Sequence, residues 1–199
     1  MKFFQKIQRV IQNPEKFFKT IRKETFSSAF LFWLVFVLTN SLFTSRDYNL
    51  TTFFNLNSIT LYFLLVITGL IGFFVITGSI HLLLHLFKGK GKYKDTVTAY
   101  VYGTVPSLLI GIFLGAIFFV MNQNTKTNLF IVIISQLLFF GVIIYSIYLN
   151  IIGLSIYHQI SRGKALGAFL LAIAIQIIII FLITFVFMVR ILLAIGGMI

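Results

Sequence analysis

Five long apolar stretches separated by short polar loops make up most of the chain. A membrane-spanning helix needs about 20 mostly apolar residues, and every stretch approaches or exceeds that length. Several stretches are longer, so tilt, kinks or helix protruding into the headgroups must take up the excess. The pattern predicts an all-α fold: a polytopic membrane helical bundle forming one domain over residues 26–199, with five transmembrane helices at about 26–44, 59–87, 97–121, 129–157 and 165–195.

Residues 1–25 carry a helical periodicity of their own. Bases lie between apolar residues that recur every three or four positions, namely Phe3, Phe4, Ile7, Val10, Ile11, Phe17, Phe18 and Ile21. The sequence Asn13-Pro14-Glu15 breaks this segment into two helices, because Asn is a good N-cap and Pro is favoured at the first helical position. We expect a basic amphipathic interfacial helix on the inner leaflet. The alternative is an ordinary basic flank that only orients the first span.

The bases of the chain are concentrated in alternate loops. Thirteen of the sixteen Lys and Arg residues lie in three blocks, at 2–23, 88–94 and 162–164, whereas the other two loops hold only Arg46 and Lys126. Short loops rich in Lys and Arg face the cytoplasm. The N-terminus is therefore predicted to be cytoplasmic and the C-terminus outside. We expect anionic lipid headgroups to contact Lys6, Arg9, Lys16, Lys19, Lys90, Lys92, Arg162 and Lys164.

Composition agrees with a lipid environment and narrows the partners. The chain is 59% hydrophobic and 10% charged, with a mean hydropathy of +1.05, whereas about a quarter of the residues in soluble domains are charged. A net charge of +12 would indicate nucleic acid in a soluble protein. Here the bases flank apolar spans, so we expect membrane lipids and no nucleic acid as partners. A homo-oligomer or other membrane proteins remain open as further partners.

Chemistry-bearing residues are scarce. The only acids are Glu15, Glu24, Asp47 and Asp95, and none lies within a predicted span, which disfavours paired-carboxylate catalysis and a carboxylate proton relay. The chain has no Walker loop, GxSxG elbow or HExxH motif. Cysteine is absent, which excludes disulfides and thiolate catalysis. We expect a non-enzymatic protein with no cofactor.

Three histidines form the one constellation that suggests a ligand site. His81 and His85 are one helical turn apart, and His158 ends the fourth span at the same predicted depth. Imidazoles spaced i and i+4 can share a metal, and three can complete a catalytic zinc geometry. Apart from Asp95, no carboxylate is placed to support such a site. We therefore favour packing or headgroup contact for the histidines and assign no metal.

The third span carries small residues suited to close helix packing. Thr104, Ser107, Gly111 and Gly115 share a face, and Pro106 next to it predicts a kink. We expect this span to be central, with a facing surface on the second span formed by Thr68 or Gly69, Gly72 and Ser79. The buried amides Gln136, Asn150 and Gln176 are expected to make hydrogen bonds between helices.

Two basic turns on the predicted inner side resemble each other. Lys90-Gly91-Lys92 joins spans two and three, and Arg162-Gly163-Lys164 joins spans four and five. Each turn follows a helix that ends in aromatic and His residues. This suggests a parallel duplication of a helical hairpin about an axis along the membrane normal.

Three motifs in a fixed order resemble the Yip1 domain family. They are the run 13–18 (NPEKFF), the loop 89–96 (GKGKYKDT) leading into Tyr100, Gly103 and Pro106, and the region from Gly153 to His158 followed by SRGKA at 161–165. The resemblance covers nearly the whole chain. It implies five spans, a cytoplasmic N-terminus and a function in membrane trafficking or membrane shape.

Eukaryotic members of that family bind Rab GTPases and partner Yip1-type proteins. This chain lacks their long cytosolic N-terminal region and its Asp-Leu-Tyr-Gly-Pro motif, so a Rab partner is not expected. It is similar to the short prokaryotic members, which implies a multi-pass protein of the cytoplasmic membrane. Our leading hypothesis is a protein that organises membrane or partner proteins through its basic inner surface. The alternative is a transporter, channel or lipid-translocating subunit.

Overall fold

A computed structural model describes residues 3–45, 56–122 and 129–196. Within these ranges it describes every side chain except those at 3, 118–122, 129, 183 and 186–196. This part of the chain is all-α. Its eight helices are α1 (Phe3–Gln12), α2 (Pro14–Ile21), α3 (Phe26–Thr44), α4 (Ser58–Leu86), α5 (Tyr93–Gly103), α6 (Val105–Asn122), α7 (Leu129–His158) and α8 (Arg162–Gly196). Arg46 and Lys126, the predicted outer-loop bases, lie outside the described residues.

Polar residues at the N-caps fix where several helices begin. Thr25 Oγ1 accepts a hydrogen bond at 3.3 Å from a backbone N–H in the first turn of α3, and Asn57 Oδ1 does the same for α4 at 2.8 Å. The Asp95 carboxylate accepts from the backbone N–H of Lys92 at 2.8 Å at the start of α5. Pro14 is the first residue of α2. The predicted break between two N-terminal helices is therefore confirmed.

Four described helices are long and apolar enough to cross a membrane, and the bent pair α5 and α6 makes a fifth if it is counted as one span. Large apolar side chains are exposed along these helices, including Phe63 and Ile71 of α4 and Leu137 and Phe140 of α7. Such continuous apolar surface is what lipid covers. The helix bounds agree with the predicted spans to within about four residues, apart from the break in the third span.

The third span bends by 43° at Thr104, close to the kink that Pro106 predicts. Pro106 has no N–H to continue the backbone ladder, and the next N–H, that of Ser107, donates to Ser146 Oγ of α7 at 3.2 Å. Directly before the bend, Gly103 packs against the side chain of Asn150. A Cβ atom at position 103 would lie 2.5 Å from Asn150 Cγ. The small residue therefore allows α5 and α7 to approach closely.

The glycines of α6 face the first span, so the facing surface that we predicted on the second span is wrong. A Cβ at Gly111 would lie 3.0 Å from Asn40 Oδ1, and one at Gly115 would lie 3.3 Å from Phe43 Cβ, both in α3. Thr104 Oγ1 donates within its own helix instead, to the carbonyl of Tyr100 at 2.9 Å. Of the predicted small-residue face, Gly111 and Gly115 therefore pack against α3, whereas Thr104 and Ser107 lie at the bend.

Residues of the second span bond or pack elsewhere. Gly69 faces Val37 of α3, and Gly72 has open space around it. Ser79 Oγ accepts a hydrogen bond from Gln176 Nε2 of α8 at 2.7 Å. The interhelical hydrogen bond expected of Gln176 is thus confirmed. The one expected of Asn150 is wrong, because its Nδ2 donates to the carbonyl of Ser146 in the same helix at 2.8 Å.

The best-packed part of the bundle surrounds α5 and the last third of α7. Tyr102, Leu149, Leu154 and Tyr157 are fully buried there. The N-terminal helices complete this core, because Val10, Phe17, Phe18 and Ile21 are buried against it. The apolar face of residues 1–25 was expected to enter lipid. Most of it contacts the protein instead, since the same periodicity suits either surface.

Candidate functional site

The three basic blocks meet at one end of the bundle, formed by residues 3–24, 87–94 and 158–164, which we call the basic end. The backbone N–H of Lys90 donates to the carbonyl of His158 at 3.0 Å, which joins the two turns. Arg162 of the second turn forms an ion pair with Glu15 of α2, which joins that turn to the N-terminal block. The sequence analysis placed the three blocks on the same side of the membrane, and the fold joins them through these contacts.

The first turn alternates between buried glycines and exposed lysines. Gly89 and Gly91 are buried, while Lys88, Lys90 and Lys92 are exposed. A Cβ at Gly89 would lie 3.0 Å from His158 Nδ1, and one at Gly91 would lie 2.9 Å from the same atom. The glycines are therefore required because the backbone crosses the imidazole ring. This arrangement turns every lysine outward.

Both turns leave the preceding helix in the same way. Lys88 and Gln159 adopt positive φ angles of 64° and 56°, and the next residue in each case donates its N–H to a carbonyl five positions earlier. These bonds measure 2.8 Å from Gly89 and 3.2 Å from Ile160. Both are the six-to-one bond of a Schellman motif. The two turns therefore share one type of helix ending, which is common among helices, and the duplicated hairpin stays a prediction.

The three histidines converge on Thr96 of α5. His81 Nδ1 and His158 Nε2 lie 2.9 and 2.8 Å from Thr96 Oγ1, and His85 Nε2 lies 3.2 Å from His81 Nε2. Because a hydroxyl both donates and accepts, Thr96 can bond both imidazoles at once. The His158 ring bonds through Nε2 alone, since its Nδ1 has no partner among the described residues, whereas His81 also bonds His85. The cluster bonds α4, α5 and α7 together. Among the described residues, no group of three His, Cys, Asp or Glu side chains has a geometry that could hold a metal ion.

Lys6, expected at a lipid headgroup, is instead largely buried. It pairs with Glu24 and donates to Tyr102 Oη at 3.0 Å. The Tyr102 hydroxyl in turn donates to Glu24 at 2.9 Å, and Ser28 Oγ donates to the same carboxylate oxygen. These bonds attach α1 to the bundle, so the role of Lys6 is to hold the N-terminal helix in place. No local pattern predicted this group, although Glu24, like Asp95, is an acid close to the start of a predicted span.

The other predicted headgroup residues lie on the outside of the basic end. Arg9, Lys16 and Lys19 of the N-terminal helices are exposed, as are Lys90, Lys92 and Lys164 of the turns. Arg162 is also exposed, in its ion pair with Glu15. Apart from Lys6, the predicted set therefore shares one accessible surface.

The family profile of the Yip1 domain matches residues 9–195. The chain belongs to the Yip1 domain family. Members of this family are generally non-enzymatic membrane trafficking proteins, and this Yip1-domain chain is a multi-pass membrane protein. No curated protein and no solved structure matches it significantly.

The match begins inside α1, so the Yip1 domain includes α2 and the turn at Asn13-Pro14. This agrees with the packing, since Phe18 of α2 contacts Tyr157 of α7 with ring centroids 5.8 Å apart. Gly153 of α7 provides the space, because a Cβ there would lie 2.9 Å from the Phe18 ring. The N-terminal helices are thus an integral layer of the domain.

Proposed function

We propose that this Yip1-domain protein organises the membrane or partner proteins by binding anionic lipids through its basic end, without catalysing a reaction. The observation that carries the proposal is the joining of three basic blocks into one exposed surface. Bases of this surface that are exposed and have no ion-pair partner among the described residues are Arg9, Lys16, Lys19, Arg22, Lys23, Lys88, Lys90, Lys92, Lys94 and Lys164.

The acids within the basic end or directly beside it neutralise little of this charge. Glu15 pairs with Arg162, Glu24 is largely buried with Lys6, and the Asp95 carboxylate accepts a backbone N–H. Each base close to an anionic membrane surface contributes about 1 kcal/mol to binding. Ten such bases on one rigid surface are ample for a strong preference for anionic lipid.

The basic end is proposed to face the cytoplasm, with the C-terminus outside, in the cytoplasmic membrane. The support is the distribution of bases among short loops. The chain has no cysteine, so single cysteines can be introduced at Lys92 and at Thr51 and labelled in intact cells with a membrane-impermeant maleimide. We expect labelling at position 51 and none at position 92 until the membrane is permeabilised. The reverse pattern would invert the proposed orientation.

The packing of the bundle favours this proposal over a transporter or channel. A conducting path needs a continuous polar cavity, but the space between α5 and α7 is filled by large side chains with less than 2% exposure. These include Tyr102, Leu149, Ile152 and Tyr157. The amide of Gln176 is bonded to Ser79.

Native mass spectrometry of the full-length chain, released from membranes of mixed phosphatidylglycerol and phosphatidylcholine, tests lipid binding. We expect retained phosphatidylglycerol to exceed its share of the membrane, and the enrichment to fall when Lys88, Lys90, Lys92 and Lys94 are changed to Gln. The control variant R46Q/K126Q removes bases of the opposite loops and should leave the enrichment unchanged. Equal retention of both lipids by the unmodified chain would reject the proposal.

A further inference from the structure

A concave groove lies between α1 and α2, where the two N-terminal helices meet. Its volume is about 280 Å³, and its lining residues are Arg9, Gln12, Asn13, Lys16, Phe17 and Thr20. Arg9 is in the last turn of α1, and Lys16 is in the first turn of α2. The turn at Asn13-Pro14 therefore brings two cations from different helices into one cavity.

Of the polar side chains that line the groove, that of Thr20 is already bonded, its hydroxyl donating to the carbonyl of Lys16 at 2.8 Å, whereas the others are available to a ligand. The ion pairs among the described residues are Lys6–Glu24 and Arg162–Glu15, so Arg9 and Lys16 have no carboxylate partner there. The Asn13 side chain does not cap α2, which leaves its amide available. The lining contains no acid. The groove thus presents two positive charges and side-chain donors with nothing in the described protein to neutralise them.

The floor of the groove is rigid. Phe17 is buried, and its ring contacts those of Phe18 and Tyr102 at centroid distances of 5.5 and 5.1 Å. At the end of α1, the hydroxyl of Tyr145 donates to the carbonyl of Ile11 at 2.7 Å. Both helices that form the groove are therefore fixed to the membrane bundle. A fixed site loses little freedom when a ligand binds.

We propose that this groove binds the phosphate headgroup of an anionic phospholipid, with Arg9 and Lys16 pairing with the phosphate oxygens. The Arg guanidinium offers a planar pair of donors and the Lys ammonium three rotatable ones, and both groups bind phosphate in proteins. The amides of Gln12 and Asn13 are available for the remaining headgroup oxygens. The inference rests on the proposed function, because it names one discrete site within the basic end.

Two apolar residues on α1 favour a lipid over free phosphate. Phe4 is 80% exposed and Ile11 is 39% exposed, seven positions apart on one face of the helix. Ile11 directly precedes Gln12, which lines the groove. Successive helix positions are rotated by about 100°, so this apolar surface lies on the face of α1 that adjoins the face carrying Gln12. Inorganic phosphate would use the donors alone.

Isothermal titration of the full-length chain in a neutral detergent tests the site. The probes are dioctanoyl phosphatidylglycerol, dioctanoyl phosphatidylcholine, glycerol 3-phosphate and inorganic phosphate. We expect saturable binding of the phosphatidylglycerol at one equivalent, and weaker binding of the other three. The variant R9Q/K16Q should bind it at least about tenfold more weakly, because it loses both charge-assisted contacts to the phosphate.

The matched control is K19Q/K23Q, which removes the same charge from the same segment but outside the groove. It should change the affinity by less than about threefold, since exposed charges contribute little singly in salt. Equal losses in both variants, at unchanged thermal stability, would overturn the discrete groove site and leave diffuse anionic binding intact. Absence of any preference for phosphatidylglycerol over phosphatidylcholine would overturn the proposed function as well. Inorganic phosphate binding as tightly as the lipid would overturn the lipid assignment.

Discussion

Lys6 and Glu24 form an ion pair inside the protein, although they are 18 residues apart and α2 lies between them. The Tyr102 hydroxyl bonds to both partners, so a residue of α5 completes the group. The Lys6 ammonium also lies 5.9 Å from the ring centroid of Phe32. These contacts fix the N-terminal helices to the start of the first span.

Removing one partner of this pair should be costly. Glu24→Gln leaves the Lys6 ammonium buried without its counter-charge, and the expected loss of stability is about 3–5 kcal/mol. The double variant K6M/E24Q should recover part of that loss, because no isolated charge remains. Fluorescence of Trp33, the one tryptophan of the chain and a buried residue, would follow unfolding. Glu15→Gln breaks the exposed pair with Arg162 and should cost at most about 1 kcal/mol; equal effects of the two substitutions would contradict the buried pair.

Glycines of the two turns should respond in opposite directions to alanine. At Gly91 a methyl group would lie 2.9 Å from the His158 ring, so Gly91→Ala should destabilise by about 1–3 kcal/mol through overpacking. Gly163 lies in α8 with nothing within 4 Å, and Gly163→Ala should stabilise by about 0.5–1 kcal/mol. Thermal unfolding in detergent measures both. If the first substitution were neutral, the turn would not cross His158 as described.

Residues with positive φ at the two helix ends should prefer glycine. Lys88→Gly and Gln159→Gly relieve a left-handed backbone that costs a side-chain-bearing residue about 1 kcal/mol. We expect similar increases in stability for both, as two copies of one helix ending require. Gln159→Ala is the control, because alanine keeps the Cβ and should give no increase. If Gln159→Ala raised the stability as much as Gln159→Gly, the positive φ angle would not be the cause of the increase.

Thr96→Val keeps the shape of the side chain but removes the hydroxyl between His81 and His158. The buried His158 ring would lose its hydrogen-bond partner, which costs about 1–3 kcal/mol, whereas His81 would keep its bond to His85. We therefore expect a clear fall in unfolding temperature. Addition of a chelator to the unmodified protein should cause no fall, and elemental analysis should detect no stoichiometric zinc. If the protein held stoichiometric zinc and lost stability with a chelator, the histidines would form a metal site and not a hydrogen-bonded cluster around Thr96.

Hydropathy predicted the spans well because it reports which residues contact lipid. It placed the start of the third span at 97, whereas α5 begins at Tyr93. The difference arises from polar residues that are satisfied by protein: Tyr93 Oη lies 2.8 Å from Thr77 Oγ1, and Thr96 is bonded to two histidines. Such partners belong to distant helices, so no local pattern reveals them.

The candidate site was only partly predictable for a related reason. The alternation of charge between loops predicted which bases lie on this surface. Most of them are exposed because a charged side chain is costly to remove from water. The position of Lys6 could not be read from periodicity, since it depends on Glu24 and Tyr102 meeting in space. The groove between α1 and α2 likewise depends on the angle at which two helices dock. Sequence analysis therefore predicted the charge of the surface but not its concave site.

The docking of the N-terminal helices also sets an order of events during synthesis. Residues 3–24 are made before the spans, but their contacts lie far along the chain: Tyr102 is 78 residues after Glu24, Tyr145 is 134 after Ile11, and Arg162 is 147 after Glu15. Proteins are made from the N-terminus onward. The N-terminal helices are therefore made before the residues that hold them, and they can reach their docked position only after α7 and the start of α8 have been made.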